Sequence, residues 1–455
     1  MASIGLEVRS STWALKISFL GLLALFLLAL GSNSLSRLVG SDSATKHPAA
    51  HTRLTQTRQT EKRNVVLIHL ESTRAQSITP YNEDLKTTPF LNELAKSSLL
   101  AERAYVVLPR SSKGSVAINC GIEPPLYSGP EFEPGGIPAR CLASLLKDQG
   151  YNTVFFQSAT SSGFGDLVEN FGYEEFYPPS AMGTEGFAET NTFGYEEDIM
   201  LKPSEQWLKE HRDEPFVAEY FTGTGHYGYE CLGTRYGTED FAEDDELNRY
   251  LNCLRLQDIF LKNLFDQYEE LGLYENTIFV LFGDHGEGFK EHRRDMHGDT
   301  IWEEGLRIPL IIHTPGWFED GERVGGPSSQ IDVLPTVLDL LGYEVENGRY
   351  PGYSLLRPLP EDRTLMASCI SSSRCLASIE GLEKYIYHFG ERPEEVFDLA
   401  KDPLERHNLA SERSKEELDE RRQGLFAWRT KVNAQYGGIL INGTLYSEPV
   451  LREAD

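Results

Sequence analysis

Short apolar runs alternate with amphipathic stretches along most of the chain, and this alternation restricts the possible fold more than any other feature. The runs typical of buried strands are NVVLIHL (64–70), NTVFFQS (152–158), PFVAEYF (215–221), NTIFVLFGD (276–284) and RIPLIIHTPG (307–316). Helical periodicity fills the intervals, most clearly in RYLNCLRLQDIFLKNLFDQYEELG (249–272). Strands joined through helices pair in parallel, so the sequence predicts an α/β fold with a mainly parallel central sheet between helices.

The pattern changes near residue 365. The stretch EKYIYHFGERPEEVFDLAKDP (383–403) predicts a hairpin, and a helical segment follows near 414–432. We therefore expect one main domain at 63–365 and a small α+β subdomain with a tail at 366–455. Residues 32–62 are polar and lack apolar periodicity, which predicts a flexible stalk.

The N-terminal segment indicates export from the cytoplasm. Ile17 to Leu30 form an uninterrupted apolar stretch that is short for a membrane span and suits the core of a signal peptide. Two alternatives stay open: residues 1–31 are a cleaved signal peptide, or residues 13–30 anchor the chain to a membrane. Both place the remaining chain outside the cytoplasm, where it is secreted or membrane-anchored.

The cysteines agree with an extracytoplasmic location. The chain has six cysteines, and an even number of cysteines in an exported chain predicts disulfides. Pairing neighbours along the sequence gives Cys120–Cys141, Cys231–Cys253 and Cys369–Cys375, which is one of fifteen possible connectivities.

The net charge excludes one class of partner. The formal charge is -27, with seven Lys or Arg against three Asp or Glu in residues 1–62 and an acidic remainder. Because nucleic-acid binding needs cations to neutralise phosphates, we expect no nucleic-acid partner. An acidic body still accepts an anionic ester substrate, such as a lipid headgroup or a glycan, when a metal ion dominates the site locally.

Polar side chains follow several of the predicted strands, at the edge where parallel sheets bind ligands. They are Glu71, the Ser111–Ser112 pair between Arg110 and Lys113, His226, the Asp284–His285 pair, and His297. Carboxylates, a hydroxyl, cations and histidines together suit metal-assisted transfer of an anionic group. The cations would stabilise developing charge, and a histidine would protonate the leaving group.

Six segments resemble the sulfatase branch of the alkaline phosphatase superfamily, in that family's order. They are NVVLIHLES (64–72), DHGEGF (284–289), WEEGLRIPLIIHTPG (302–316), QIDVLPTVLDLLG (330–342), GYSLL (352–356) and EEVFDLAKDPLERHNLA (394–410). The resemblance implies the family's large, mainly parallel sheet between helices and its small C-terminal sheet subdomain.

The catalytic residues depart from the sulfatase pattern. Paired aspartates and the Cys-x-Pro-Ser-Arg motif, whose cysteine becomes formylglycine, are replaced by Leu70-Glu71-Ser72 and by serines near residue 111. The resulting set resembles that of phosphoglycerol transferases (lipoteichoic-acid synthases) and phosphoethanolamine transferases, although those enzymes use threonine. The resemblance implies a metal shell of Glu71, Ser111, Asp284 and His285. Ser111 would be the nucleophile, with Ser112 as its competitor.

Three interpretations of function remain. A phosphoserine is resolved by in-line attack of water or an alcohol, whereas a serine sulfate lacks the elimination route of formylglycine, so the residues favour phosphate esters over sulfate esters. The alternatives are a sulfatase without formylglycine and an inactive protein that binds an anionic glycan or lipid headgroup. The cofactor is one divalent ion among Mn, Zn, Mg and Ca, and a histidine ligand favours Mn or Zn.

The remaining histidines and the two cations have different expected roles. We expect His226 and His297 to position the anion and assist the leaving group, and Arg110 and Lys113 to stabilise charge. His69 and His292 are expected to be structural or solvated, with His69 pointing away from the metal.

Overall fold

An eight-stranded sheet forms the centre of the protein, which we describe from a computed structural model. The structure describes residues 47–160, 163–231, 233–370, 374–437, 440–441 and 444–445. The strands of all the sheets in these residues are, in chain order, β1 Arg53–Gln56, β2 Asn64–Leu70, β3 Leu99–Ala101, β4 Ala104–Tyr105, β5 Asn152–Gln157, β6 Glu175–Tyr177, β7 Glu189–Asn191, β8 Gly194–Tyr195, β9 Phe216–Phe221, β10 Thr277–Gly283, β11 Gly288–Phe289, β12 Asp295–Met296, β13 Arg307–Ile308, β14 Leu310–His313, β15 Glu322–Val324, β16 Ser328–Ser329, β17 Tyr343–Glu346, β18 Thr364–Ser368, β19 Leu376–Glu380, β20 Glu383–Tyr387, β21 Glu395–Asp398, β22 Leu440–Ile441 and β23 Thr444–Leu445.

The α-helices of the described residues lie mostly between these strands. They are α1 Pro89–Leu94, α2 Ser111–Cys120, α3 Leu142–Lys147, α4 Phe164–Phe171, α5 Pro179–Met182, α6 Leu201–His211, α7 Gly233–Tyr236, α8 Asp245–Glu270, α9 Glu303–Leu306, α10 Val333–Leu340 and α11 Lys415–Tyr436.

The order of the central sheet is β15-β3-β14-β10-β2-β9-β5-β6. Strands β10, β2, β9, β5 and β6 pair in parallel, while β14 is antiparallel to both of its neighbours. This arrangement confirms the predicted mainly parallel sheet. Because parallel strands end at the same edge, the residues that follow β2, β9 and β10 lie side by side.

Two apolar layers cover the sheet, one on each face. In β2, Val65 and Leu67 belong to one buried cluster, and Val66 and Ile68 belong to the other. Successive side chains of a strand point to opposite faces, so a continuous apolar run supplies both layers. Helices α2 and α10 pack on the first face, and the long helix α8 packs on the second.

The C-terminal region has its own four-stranded antiparallel sheet, in the order β18-β19-β20-β21. The predicted hairpin corresponds to β20 and β21, and α11 follows them. The small α+β subdomain is therefore present, while the boundary between 63–365 and 366–455 stays a prediction.

The structure also confirms the predicted disulfides Cys120–Cys141, Cys231–Cys253 and Cys369–Cys375.

Part of the predicted stalk is ordered structure. Strand β1, with sequence RLTQ, pairs antiparallel with β17, and Leu54 is buried. Four residues with a single apolar side chain give no readable alternation, so the sequence did not reveal this strand.

The predicted signal or anchor segment, 1–31, lies outside the described residues. Within the described residues, no helix has the length and apolar content needed to cross a membrane.

Candidate active site

Four of the predicted site residues meet at the carboxyl edge of the sheet. Strand β2 leads directly into Glu71, β10 leads into Asp284 and His285, and helix α2 begins at Ser111. Glu71, Asp284 and His285 are fully buried, and Ser111 is 8% exposed.

Glycines allow the backbones around this point to approach closely. A Cβ atom on Gly225 would lie 2.1 Å from the carbonyl oxygen of Glu71, and one on Gly286 would lie 2.0 Å from that of Glu304. A Cβ atom on Gly114 would lie 2.8 Å from the carbonyl oxygen of Asp284. Only glycine fits at such contacts, so these three glycines allow the close packing of the backbones around the site.

The side chains converge on one small volume. Ser111 Oγ lies 3.2 Å from Glu71 Oε1 and 3.4 Å from His285 Nε2. His285 Nε2 lies 3.3 Å from Asp284 Oδ2 and 3.5 Å from Glu71 Oε1. Two carboxylates, an imidazole and a hydroxyl facing one another form a donor set that suits a divalent cation.

The hydrogen bonds around the site leave metal-binding atoms free. Glu71 Oε2 and Asp284 Oδ2 are buried and have no hydrogen-bond partner among the described residues. Asp284 Oδ1 accepts from the backbone N–H groups of Ser72 and His285, both at 2.8 Å. His285 Nδ1 lies 2.8 Å from the carbonyl oxygen of Gly286. In its neutral form the ring donates to that carbonyl, which directs the Nε2 lone pair into the site. These residues therefore fit a bound cation.

The electrostatics also favour a cation. Burial opposes a charged imidazole, but the carboxylates of Asp284 and Glu71 outweigh it and raise the pKa of His285 to about 10. Burial also opposes ionisation of Asp284, yet His285 and His69 hold the pKa of that carboxyl below its usual range. The negative potential that holds a proton on His285 would equally attract a metal ion.

His69 is an addition to the predicted set, and the expectation that it points away from the metal was wrong. Its Nε2 atom lies 3.1 Å from Asp284 Oδ2, and its ring is fully buried. One ligand atom from each of His69, Glu71 and Asp284 lies within 4.8 Å of the other two. Residues two apart on a strand share a face, so its position two before Glu71 was the signal that could have found it.

A cavity of about 450 Å³ opens over Ser111. Its lining residues are Arg110, Ser111, Ser112, Phe132, Gly163, Phe164, Phe193, His226 and His297. The His226 ring stacks on Phe193, with 4.2 Å between ring centroids, and the His297 ring lies 4.0 Å from that of His285. The structure therefore brings Arg110, His226 and His297 to the cavity that holds the candidate nucleophile.

Lys113 does not line this cavity. Its ammonium group is buried and lies 2.6 Å from Glu131 Oε1, and it donates to the carbonyl oxygen of Tyr127. Burial lowers the pKa of Lys113 to about 8, although Glu131 opposes this shift. Ser112 also turns towards this pair, with its Oγ atom 3.3 Å from Glu131 Oε1. Only Ser111 of the two serines contacts the candidate metal ligands.

Glu287 is a further residue that the sequence did not single out. It is fully buried, and both of its carboxylate oxygens lie 3.4 Å from His297 Nδ1. A carboxylate in that position can accept a hydrogen bond from the imidazole and orient the ring. His292 lies apart from the site: it stacks on Trp302 and contacts Glu304 through Nδ1 at 2.7 Å, as a structural histidine would.

A known family model covers the region that holds these residues. Residues 63–343 match the family model described as Sulfatase. The chain belongs to the sulfatase family. This match includes β2, the Ser111 region and the Asp284–His285 loop, so all the candidate metal ligands lie within it.

Among curated relatives of this sulfatase-family chain is the lipoteichoic acid synthase-like YvgJ of Bacillus subtilis, 26% identical over 65% of this chain and 50% of the relative. The ulvan-active sulfatase of Formosa agariphila is 24% identical over 63% of this chain and 63% of that relative. The chain thus spans about half the length of the synthase relative. The lipoteichoic acid synthase structure from Listeria monocytogenes matches at a TM-score of 0.68 and 15% identity, covering 85% of this chain and 97% of that one. Such a likeness shows a shared fold alone.

Proposed function

We propose that the protein is a metal-dependent enzyme that hydrolyses or transfers a phosphate ester, preferably a phosphodiester, through Ser111. The observation that carries this proposal is the position of Ser111 Oγ. It faces the cavity while it contacts Glu71 and His285, two members of a buried donor set. A hydroxyl so placed is accessible to substrate and activated by its neighbours.

The chain's own groups account for each proton. Ser111 Oγ donates to Glu71 Oε1 in the structure, and attack on phosphorus would form the Oγ–P bond as that proton passes to Glu71. The bond between phosphorus and the leaving oxygen would break in line. His297, oriented by Glu287, or His226 would protonate the departing alkoxide. Water or an acceptor alcohol, deprotonated by the same histidine, would then attack phosphorus and break the Oγ–P bond, and the Ser111 oxygen would take its proton back from Glu71 to complete the cycle.

Helix α2 would assist by its orientation. Its N-terminus lies at Ser111, which lines the cavity, so the positive end of the helix dipole lies next to the developing charge. Arg110, which also lines the cavity, supplies a full positive charge. These groups would stabilise the negative oxygens of the transferred group.

A divalent cation held by Glu71, Ser111, Asp284 and His285 would lower the pKa of the serine hydroxyl and neutralise substrate oxygens. Mn²⁺ or Zn²⁺ suits an imidazole and carboxylate set better than Ca²⁺ does. We therefore propose Mn or Zn as the working ion.

Chemistry at serine favours phosphorus. A sulfoserine would need a second displacement at sulfur, because serine lacks the hydrate hydroxyl that formylglycine uses to eliminate sulfate. The synthase relative supports phosphate chemistry, and the ulvan-active sulfatase keeps sulfuric esters as the second candidate. In either case the substrate would be an anionic ester on a lipid headgroup or glycan. The disulfides support an extracytoplasmic location.

The test is an ester panel with the full chain, loaded in turn with Mn²⁺, Zn²⁺, Mg²⁺ and Ca²⁺. Matched chromogenic phosphodiester, phosphomonoester and sulfate esters would be compared, with Ser111→Ala and Ser112→Ala alongside. We expect phosphodiester turnover that Ser111→Ala abolishes and Ser112→Ala largely retains. Turnover of the sulfate ester alone would overturn the proposal in favour of a sulfatase. Metal binding without any turnover would favour an inactive binding protein.

A further inference from the structure

We propose that His69 is a fifth ligand of the metal ion and that the buried carboxylate of Glu219 orients it. This inference rests on the metal site of the proposed function. It changes that site from one imidazole to two, and the added ligand comes from inside the sheet.

The placement of unpaired atoms carries the argument. His69 Nε2, Glu71 Oε2 and Asp284 Oδ2 are all buried, and none has a hydrogen-bond partner of acceptable geometry among the described residues. Ligand atoms of these three residues lie within 4.8 Å of one another. Three unpaired polar atoms close together would be costly in a dry interior, and a shared cation would satisfy all of them.

The ring of His69 is held in this orientation. It lies in β2 between Phe221, at 3.9 Å between ring centroids, and Phe282, at 5.3 Å. Both aromatic side chains are fully buried. A ring fixed by packing loses little further freedom on binding a metal, which favours its use as a ligand.

The other ring nitrogen faces a second carboxylate. His69 Nδ1 lies 3.9 Å from Glu219 Oε1, which has no hydrogen-bond partner of its own in the described residues. Glu219 Oε2 accepts from Asn119 Nδ2 and from the Tyr173 hydroxyl, both at 2.9 Å. Metal-bound histidines commonly direct their second nitrogen to a carboxylate, which fixes the tautomer and increases ligand basicity. The buried Glu219 is placed for that role.

The consequence is a change in metal preference. Two imidazoles, two carboxylates and a serine oxygen favour Zn²⁺ or Mn²⁺ over Ca²⁺ and Mg²⁺, which prefer oxygen ligands. The competing interpretation is that His69 only donates a hydrogen bond to Asp284 and never binds the ion.

X-ray absorption at the zinc edge separates these interpretations on the unmodified full chain, loaded with one equivalent of Zn²⁺. We expect a spectrum with two imidazole ligands. A spectrum with one imidazole would overturn the inference, and turnover by that same sample would show that the proposed function survives it. Failure to bind zinc at all would overturn the inference, and turnover with Mn²⁺, Mg²⁺ or Ca²⁺ would then decide whether the proposed function survives.

Variants give an independent measure through chelator competition, which needs no activity. We expect His69→Gln to weaken zinc binding more than tenfold and Glu219→Gln to weaken it by roughly tenfold. The matched control is His313→Gln, because His313 is also a buried strand histidine and contacts Ser98 and Tyr274 instead of the site. Equal affinities for His69→Gln and His313→Gln would overturn the inference. If His69→Gln fails to fold, the absorption spectrum decides.

Discussion

Adding one methyl group at Gly114 tests whether helix α2 and the Asp284 loop must touch for catalysis. In Gly114→Ala the new Cβ would lie 2.8 Å from the carbonyl oxygen of Asp284 and 3.0 Å from its Cβ. Alanine gains about 1 kcal/mol over glycine inside a helix. Overpacking against a rigid backbone costs about 1–3 kcal/mol. We therefore expect a net loss of up to about 2 kcal/mol in the free energy of unfolding.

The same change should reduce turnover more than stability. The methyl group would push α2, and Ser111 with it, away from Asp284, and a displacement of about 1 Å costs roughly 100-fold in rate. Gly424→Ala in α11 is the matched control, because, apart from its chain neighbours and its own helix backbone, no atom of the described residues lies within 4 Å of its added Cβ. That variant should gain about 1 kcal/mol and keep full turnover. Urea unfolding and ester turnover measure both effects. Gly114→Ala that is as stable and active as the control would refute the reasoning.

Three further predictions concern charged groups. Glu131→Gln leaves the buried Lys113 ammonium without its carboxylate partner, so urea unfolding should show that the free energy of unfolding falls by about 3–5 kcal/mol. A fall below about 1 kcal/mol would contradict the buried ion pair. Burial lowers the pKa of His313 from 6.5 to about 4 in the folded protein. Between pH 6.5 and about 4 the unfolded chain therefore binds more protons at this residue than the folded protein does, and the free energy of unfolding should fall by up to about 3 kcal/mol as the pH drops through that range. His313→Gln should remove this part of the pH dependence, and an unchanged profile would contradict it. A chelator should abolish turnover and lower the unfolding temperature, because buried Glu71 and Asp284 lose a neutralising cation; unchanged values for both would exclude the metal.

The parts of the fold that the sequence predicts are those with strong local signals. Apolar runs such as 64–70 became central strands, because strands buried on both faces need continuous apolar sequence. Strand β1 escaped notice because a four-residue edge pair needs few apolar side chains. Its partner β17 lies almost 300 residues away, and no local pattern reports such a pairing.

The site shows a similar division. Glu71 and Asp284 were predictable because parallel strands end at a common edge, which brings the residues after β2 and β10 together. The predictions for Lys113 and His69 were wrong because they depended on the direction in which each side chain points. Residue 113 lies on the first turn of α2, where a step of two residues from Ser111 rotates the side chain towards Glu131. Glu287 and Glu219 lie beside His297 and His69, and such contacts between residues that are not adjacent in the sequence appear only once the distances are known.

Covalent trapping at Ser111 tests the central claim most directly. The metal-loaded full chain would be mixed with a slowly turned-over phosphodiester, quenched in acid and mapped by peptide mass spectrometry, with Ser111→Ala and Ser112→Ala in parallel. We predict a phosphoryl group on Ser111 that Ser112→Ala retains and Ser111→Ala lacks. A label on Ser112, or continued turnover by Ser111→Ala, would contradict the account.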